Sequence, residues 1–146
     1  MKNMSYTFVC IGTNKIVPDS FGPRVGDKLK QVFYSSPEIS VYGTMKNPIH
    51  LKNAMCFLDE IEKKTHIILI DSAIGKKEEI GNTYVNRGGM EIGKAFNNSI
   101  YLPANLNIKT VIGSKEYMPN YTTNQLEKLA DEVANKIVEI VFELSV

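Results

Sequence analysis

The sequence has almost no net charge, few cysteines and no long apolar run. Its 146 residues carry a formal net charge of +1, so electrostatics give no reason to expect binding to nucleic acid or to an anionic membrane. The apolar runs fall well short of the ~20 residues that a membrane span requires. Residues 1–6 lack the apolar segment of a signal peptide. We therefore expect neither nucleic acid nor a membrane among the partners.

Several motifs of metal and cofactor sites are also absent. No His-x-x-His or Cys-x-x-Cys spacing occurs, which argues against zinc. The glycines match neither a P-loop nor Gly-x-Gly-x-x-Gly, and the Gly-x-Ser-x-Gly signal of serine hydrolases is missing. The two cysteines, Cys10 and Cys56, are typical of reduced thiols in an intracellular protein and predict a cytoplasmic location, although the sequence also permits a disulfide between them.

What is present is the pattern of one α/β domain over residues 1–146. Three short apolar runs, Thr7–Ile11, Ile39–Tyr42 and His66–Ile70, are separated by amphipathic segments that Pro23 and Pro48 are expected to open as helices. This alternation predicts a mostly parallel central sheet with right-handed crossovers and strand order 2-1-3 at its centre. The expected architecture is a three-layer α/β/α sandwich.

The second half of the chain has weaker signals. Residues Glu79–Val85 are expected to form a strand, antiparallel and at the sheet edge, and Met90–Phe96 a helical turn or two. The β-branched run Ile108–Ile112 predicts the last core strand. We expect four helices at most and four or five strands.

The chain ends in a long predicted amphipathic helix. Its N-terminus is expected to be capped by Thr122 with Gln125, or by Asn124 with Glu127. The apolar stripe consists of Leu126, Leu129, Val133, Ile137, Ile140, Val141 and Leu144.

Two acidic residues are the main candidates for chemistry. Ligands of an open parallel sheet bind beyond the carboxyl ends of its strands, at the point where the chain changes direction. Asp19 lies in the loop after strand 1 and Asp71 directly after strand 3, so the topology predicts that they share one crevice. Such a pair can activate water, hold a divalent cation or orient a polar substrate. The structural alternative is that Asp19 caps the following helix and Asp71 caps a turn.

Other polar residues carry less weight. His50 and His66 lie at the start of a predicted helix and strand, where a structural role is expected, and Cys10 is expected in the core. A receiver domain would use Asp71 with Lys115, but it also needs an acidic pair directly after strand 1, where this chain has Gly12-Thr13-Asn14.

One family resemblance can be identified from the motifs. The stretch Cys10–Asn14 through Asp19–Pro23, followed by Val25-Gly26, resembles the YyaC family of bacterial sporulation proteins. Further similar segments are Val41–Thr44, Asn47–His50 with Asn53, and Ile70–Gly75, so that the likeness covers most of residues 8–113. The match is loose over Glu79–Leu106.

The resemblance implies a function. The YyaC family is similar to the spore germination protease and to the hydrogenase maturation endopeptidases. The resemblance therefore implies that this chain is a peptidase that acts on a protein or peptide, in the mother cell or forespore of a spore-forming bacterium. The catalytic pair would be Asp19 and Asp71, which would also be the ligands of any divalent metal. We expect Gly12, Asn14 and Gly22 to contact the substrate, with backbone N–H groups near the glycines steadying the oxyanion.

The resemblance is incomplete in two places. The hydrogenase endopeptidases recognise nickel with two acids and a histidine, and this chain has no histidine in its loosely matching region 79–106. The family also usually carries a Pro-Gly-rich turn where this chain has Arg87-Gly88-Gly89. A catalytically inactive binding or regulatory protein on the same fold is the competing hypothesis, because a fold does not determine a function.

Overall fold

A computed structural model describes residues 5–61, 64–93 and 99–145. In this part of the chain there are seven strands and three α-helices. The strands are β1 (Tyr6–Cys10), β2 (Ile39–Tyr42), β3 (His66–Gly75), β4 (Thr83–Arg87), β5 (Met90–Ile92), β6 (Ile100–Leu102) and β7 (Leu106–Ser114). The helices are α1 (Phe21–Val32), α2 (Leu51–Glu60) and α3 (Thr123–Ser145), and short 3₁₀ turns lie at Pro18–Ser20 and Lys77–Glu79.

The central sheet has the order β2-β1-β3-β7-β4. β2, β1, β3 and β7 are parallel neighbours, and β4 pairs antiparallel with β7 at the edge. The predicted order 2-1-3 at the centre and the mostly parallel sheet are therefore confirmed. The antiparallel edge strand is also present, but it begins at Thr83 rather than at the predicted Glu79, which lies in a 3₁₀ turn. The buried runs of β1 and β3 take the middle of the sheet because both of their faces are covered.

One face of the sheet is covered by α1 and α3. Val25 and Leu29 of α1 are fully buried in the same cluster as Phe8 of β1, because their spacing places them on one side of the helix. α3 adds the buried stripe Leu126, Ala130, Val133, Ala134, Ile137 and Val141. The predicted long amphipathic helix is thus present, with the side chain of Leu144 outside the described part.

The other face is covered by α2 together with a small two-stranded sheet of β5 and β6. Met90 and Ile92 are buried here with Leu102. The prediction of a helical segment over Met90–Phe96 is wrong for residues 90–92, which form β5 by antiparallel pairing with β6, and residues 94–96 lie outside the described residues. A strand of three residues is too short for its period to be recognised in the sequence.

The helix starts also differ from expectation. α1 begins at Phe21, before Pro23, because a 3₁₀ turn at Pro18–Ser20 leads directly into it. α2 begins at Leu51, after Pro48, and its cap is His50, whose ring accepts a hydrogen bond from the N–H of Lys52 at 3.3 Å. The α3 cap is the first of the two predicted alternatives. Thr122 and Gln125 exchange hydrogen bonds between side chain and backbone, at 2.9 and 3.1 Å.

No helix in the described ranges is long and apolar enough to span a bilayer.

Both cysteines are free thiols, so the disulfide that the sequence permitted is absent. Cys10 is buried in β1, and burial raises the pKa of its thiol far above the ordinary value, with a smaller contribution from the negative charge of Asp27.

The two thiols should therefore differ in reactivity. Iodoacetamide is expected to modify Cys56, which is exposed on α2, and to leave Cys10 unmodified in the native protein, whereas both should react in denaturant. Mass mapping of the alkylated peptides measures this directly. Rapid native modification of Cys10 would mean that the core around β1 opens readily.

Candidate active site

The loop after β1 places Asp19 over the end of that strand. Gly12 donates its N–H to the carbonyl of Ile49 at 2.9 Å, and Thr13 donates its N–H to the carbonyl of Asp19 at 2.9 Å. The chain then turns through Pro18–Ser20 and enters α1. A Cβ at Gly12 would overlap the Asp19 carbonyl oxygen and the Pro23 ring, so only glycine permits this close return of the loop.

Asp71 lies on the neighbouring strand, β3. The prediction that it directly follows the end of this strand is wrong. β3 does not end at Ile70; it continues to Gly75, so that Asp71 lies inside the strand. β1 stops at Cys10, opposite Ile70, and Asp71 is the first residue of β3 beyond it. The extension is possible because β7 pairs with β3 from Ile68 to Gly75, with a bulge between Ala73 and Ile74.

The environment of Asp71 changes its proton affinity. Asp71 as a whole residue is partly exposed to solvent, but protein atoms surround its carboxyl group closely. This burial raises the pKa of Asp71 from 3.8 to about 7. The N–H of Ser72, which donates to Oδ1 at 2.8 Å, and the Lys109 ammonium both lower the pKa, while the Asp19 carboxylate raises it. Burial is the largest of these effects on the pKa of Asp71, and the charge of Asp19 is the smallest.

Lys109 is a member of this site that the sequence did not reveal. It lies on β7 directly opposite Asp71 in the parallel register, and partners in register present their side chains on the same face of a sheet. It also acts electrostatically on Asp71. The only sequence signal was a charged residue interrupting the apolar run Ile108–Ile112.

The structural alternatives for the acids are not observed. The residue at the N-cap of α1 is Ser20, which makes no side-chain cap hydrogen bond, so Asp19 does not cap this helix. Asp71 lies within a strand and caps no turn. The receiver-domain hypothesis required Lys115 beside Asp71, but the lysine whose charge acts on Asp71 is Lys109.

Both histidines have structural roles. The ring of His66 packs against that of Tyr6, with 5.8 Å between the ring centroids, and His50 caps α2.

The three residues expected to contact substrate have different surroundings. Asn14 is exposed, and its side-chain amide donates to the carbonyl of Met45 at 2.8 Å. The N–H of Gly12 is already bonded to Ile49 and is not free for an oxyanion. Gly22 is buried, and a Cβ there would overlap the Ile11 carbonyl oxygen. The structure thus gives both glycines a packing role.

The donor set does not fit the nickel recognition of the hydrogenase endopeptidases. The charge of Asp19 acts on Asp71, but within residues 5–61, 64–93 and 99–145 no group of three or more His, Cys, Asp or Glu side chains could hold a metal ion. The third ligand, a histidine in that resemblance, has no counterpart here.

Comparison with solved structures defines the class of fold. The chain is similar to the [NiFe] hydrogenase maturation protease HycI of Thermococcus kodakarensis KOD1, with a TM-score of 0.62, 17% identity, and coverage of 94% of this chain and 92% of that one. The hydrogenase maturating endopeptidase HybD of E. coli gives a TM-score of 0.57, 13% identity, and coverage of 96% and 93%. The fold is therefore that of the hydrogenase maturation endopeptidases.

The family follows from the sequence comparisons. Residues 1–141 match the family described as "Protein of unknown function (DUF1256)", and the chain belongs to this family. It is also 27% identical over 135 residues to the "Uncharacterized protein YyaC" of Bacillus subtilis (strain 168), an alignment that covers 90% of this chain. The chain spans 65% of the length of that relative.

Proposed function

We propose that this protein is a peptidase of the germination-protease type that uses Asp19 and Asp71 as its catalytic pair. The observation that carries the proposal is the raised pKa of Asp71, about 7, at a position just past the end of β1, with the Asp19 carboxylate among the charges that act on it. A general acid and base works best when its pKa lies near the working pH. The cytoplasm of a spore-forming bacterium, in the mother cell or forespore, is the proposed location.

The two acids have different tasks in this mechanism. The ionised Asp71 takes a proton from a water molecule as the water oxygen attacks the carbonyl carbon of the scissile peptide bond, and it then gives that proton to the leaving nitrogen. Asp19 orients the water. Asn14 would accept a hydrogen bond from the substrate backbone through its carbonyl oxygen, because its amide group is held by Met45. Lys109 favours the ionised form of Asp71.

The proposal is tested by cleavage. The purified protein is incubated with small acid-soluble spore proteins, with and without divalent cations, and products are followed by mass spectrometry. Asp19→Asn and Asp71→Asn should each reduce cleavage by about 100-fold or more. The rate of the wild type should rise with pH and inflect near pH 7, because the base must be ionised. The control Asp131→Asn, on the exposed surface of α3, should retain the wild-type rate.

The outcomes separate the two functional hypotheses. Cleavage that persists in both Asn variants would reject the aspartate pair while leaving a peptidase. Absence of cleavage under every condition would favour the non-catalytic binding or regulatory protein.

A further inference from the structure

The outer edge of β2 is open. β2 is the terminal strand of the central sheet, and among the described residues it pairs only with β1, through the register from Tyr6↔Ile39 to Val9↔Tyr42. Its other edge therefore presents backbone N–H and C=O groups away from the sheet, which is the surface to which an additional strand can pair.

Two cavities flank this open edge, one on each face of the sheet. The first, of about 360 Å³, lies between the starts of β1 and β2 and the helix α2. The second, of about 220 Å³, lies between β2 and the end of α1. Ser40 and Tyr42 line both cavities, which are therefore the two sides of a single strand edge. We call this pair of cavities the β2 groove.

The first cavity has the chemistry of a cation site. Glu38 and Glu60 line it, and no salt bridge within the described ranges involves either carboxylate. The rings of Tyr42 and Phe57 also line it and meet edge to face, with centroids 4.9 Å apart. Carboxylates together with aromatic rings favour a lysine or arginine side chain through charge and cation–π attraction.

The second cavity has a different character. It is lined by the apolar and aromatic side chains of Phe33, Tyr34, Ile39 and Val41, with Lys30 as its charged residue. Tyr34 is 85% exposed, so a large aromatic surface is available to a ligand. This cavity suits an aliphatic side chain, and the lysine disfavours a second cation there.

We propose that the β2 groove binds an extended segment of a partner protein that pairs with β2 as an added strand, with a basic side chain in the first cavity and a neighbouring apolar side chain in the second. Successive side chains of a strand point to opposite faces, so adjacent residues of the segment reach the two cavities in turn. β2 has four residues and spans about 13 Å, which matches a short linear segment.

The β2 groove is separate from the candidate active site. The first cavity is lined by Ser5, Tyr6 and Thr7 at the amino end of β1, whereas Asp71 lies past its carboxyl end. Neither Asp19 nor Asp71 lines either cavity. The proposal therefore does not depend on peptidase activity.

The experiment uses a fluorescein-labelled peptide of about seven residues, blocked at both ends, in which Val and Arg alternate. Fluorescence polarisation with the full chain should give saturable binding. A peptide with Glu in place of Arg should bind at least about tenfold more weakly. The double variant Glu38→Gln/Glu60→Gln should lose about fivefold or more of the affinity for the Arg peptide. Glu132→Gln, exposed on α3, and Asp71→Asn should bind like the wild type.

Several results would overturn the proposal. One is the lack of saturable binding by a protein that circular dichroism shows to be folded. Another is equal binding of the Arg and Glu peptides, or unchanged affinity in the Glu38→Gln/Glu60→Gln variant. Sedimentation that reveals a homodimer dissociated by the same double variant would assign the groove to a second copy instead.

Discussion

Asp71→Asn should make the protein more stable above pH 7 and leave its stability nearly unchanged below pH 4. The pKa of Asp71 is 3.8 in an unconstrained chain and about 7 in the folded protein, so the folded state binds the proton more tightly. Asp71 therefore costs the wild type no stability below pH 4, and its ionisation destabilises the fold progressively as the pH rises to about 7. The loss is roughly 2–3 kcal/mol once the partial exposure of Asp71 is allowed for.

Asparagine has the shape of aspartate but no charge to desolvate, and its side-chain oxygen can still accept from the N–H of Ser72. The melting temperature at pH 8 should therefore rise by roughly 4–10 °C, measured by thermal denaturation from pH 4 to pH 9. Asp131→Asn is the control and should follow the wild type within about 0.5 kcal/mol, because surface ion pairs contribute little. A clearly lower melting temperature for Asp71→Asn at pH 8 would mean that the carboxylate stabilises the fold.

Gly26→Ala is expected to destabilise the protein by about 3 kcal/mol or more. Gly26 lies within α1, where alanine would ordinarily add about 1 kcal/mol of helical stability. Here a Cβ would overlap the Gly43 carbonyl oxygen, because α1 packs directly on the end of β2. Backbone atoms on both sides cannot rotate away, so the helix must shift and lose its contacts. The melting temperature should fall by roughly 6–12 °C.

A matched control separates this contact from ordinary glycine conformation. Gly81 has a φ of +95°, and no atom lies within 4 Å of the position that a Cβ would occupy there. Gly81→Ala should therefore cost only about 1 kcal/mol, from its backbone conformation. Denaturant unfolding of the two variants gives the comparison. Equal stabilities would show that α1 can move away from β2 without loss.

The centre of the fold could be predicted from the sequence because its signals are local. The runs ending at Ile11, Tyr42 and Ile70 are apolar and short, and each is followed by an amphipathic helix or a polar turn, so the strand order around β1 follows from general rules of α/β topology. β5 could not be predicted, because its three residues become a strand only through pairing with Ile100–Leu102, farther along the chain.

For the candidate site, topology alone was enough to predict that Asp19 and Asp71 share one crevice, but the surroundings of Asp71 could not be predicted. The segment Asp71–Gly75 is mostly polar or small, and it is extended only because β7 lies alongside, so the sequence placed Asp71 at a strand end. Lys109 enters the site through the same pairing, and burial of the Asp71 carboxyl depends on the packing of the whole sheet. These are tertiary effects that a linear pattern does not contain.

The position of β7 has a consequence for biosynthesis. This strand is the last of the sheet in chain order, yet it is inserted between β3 and β4, and α3 follows it to close one face of the sheet. Until a ribosome has added β7, the part of β3 that carries Asp71 has no neighbour to hold it extended. Asp71 would therefore acquire its folded environment only after Leu106–Ser114 has emerged, and a chain truncated before β7 would lack that environment.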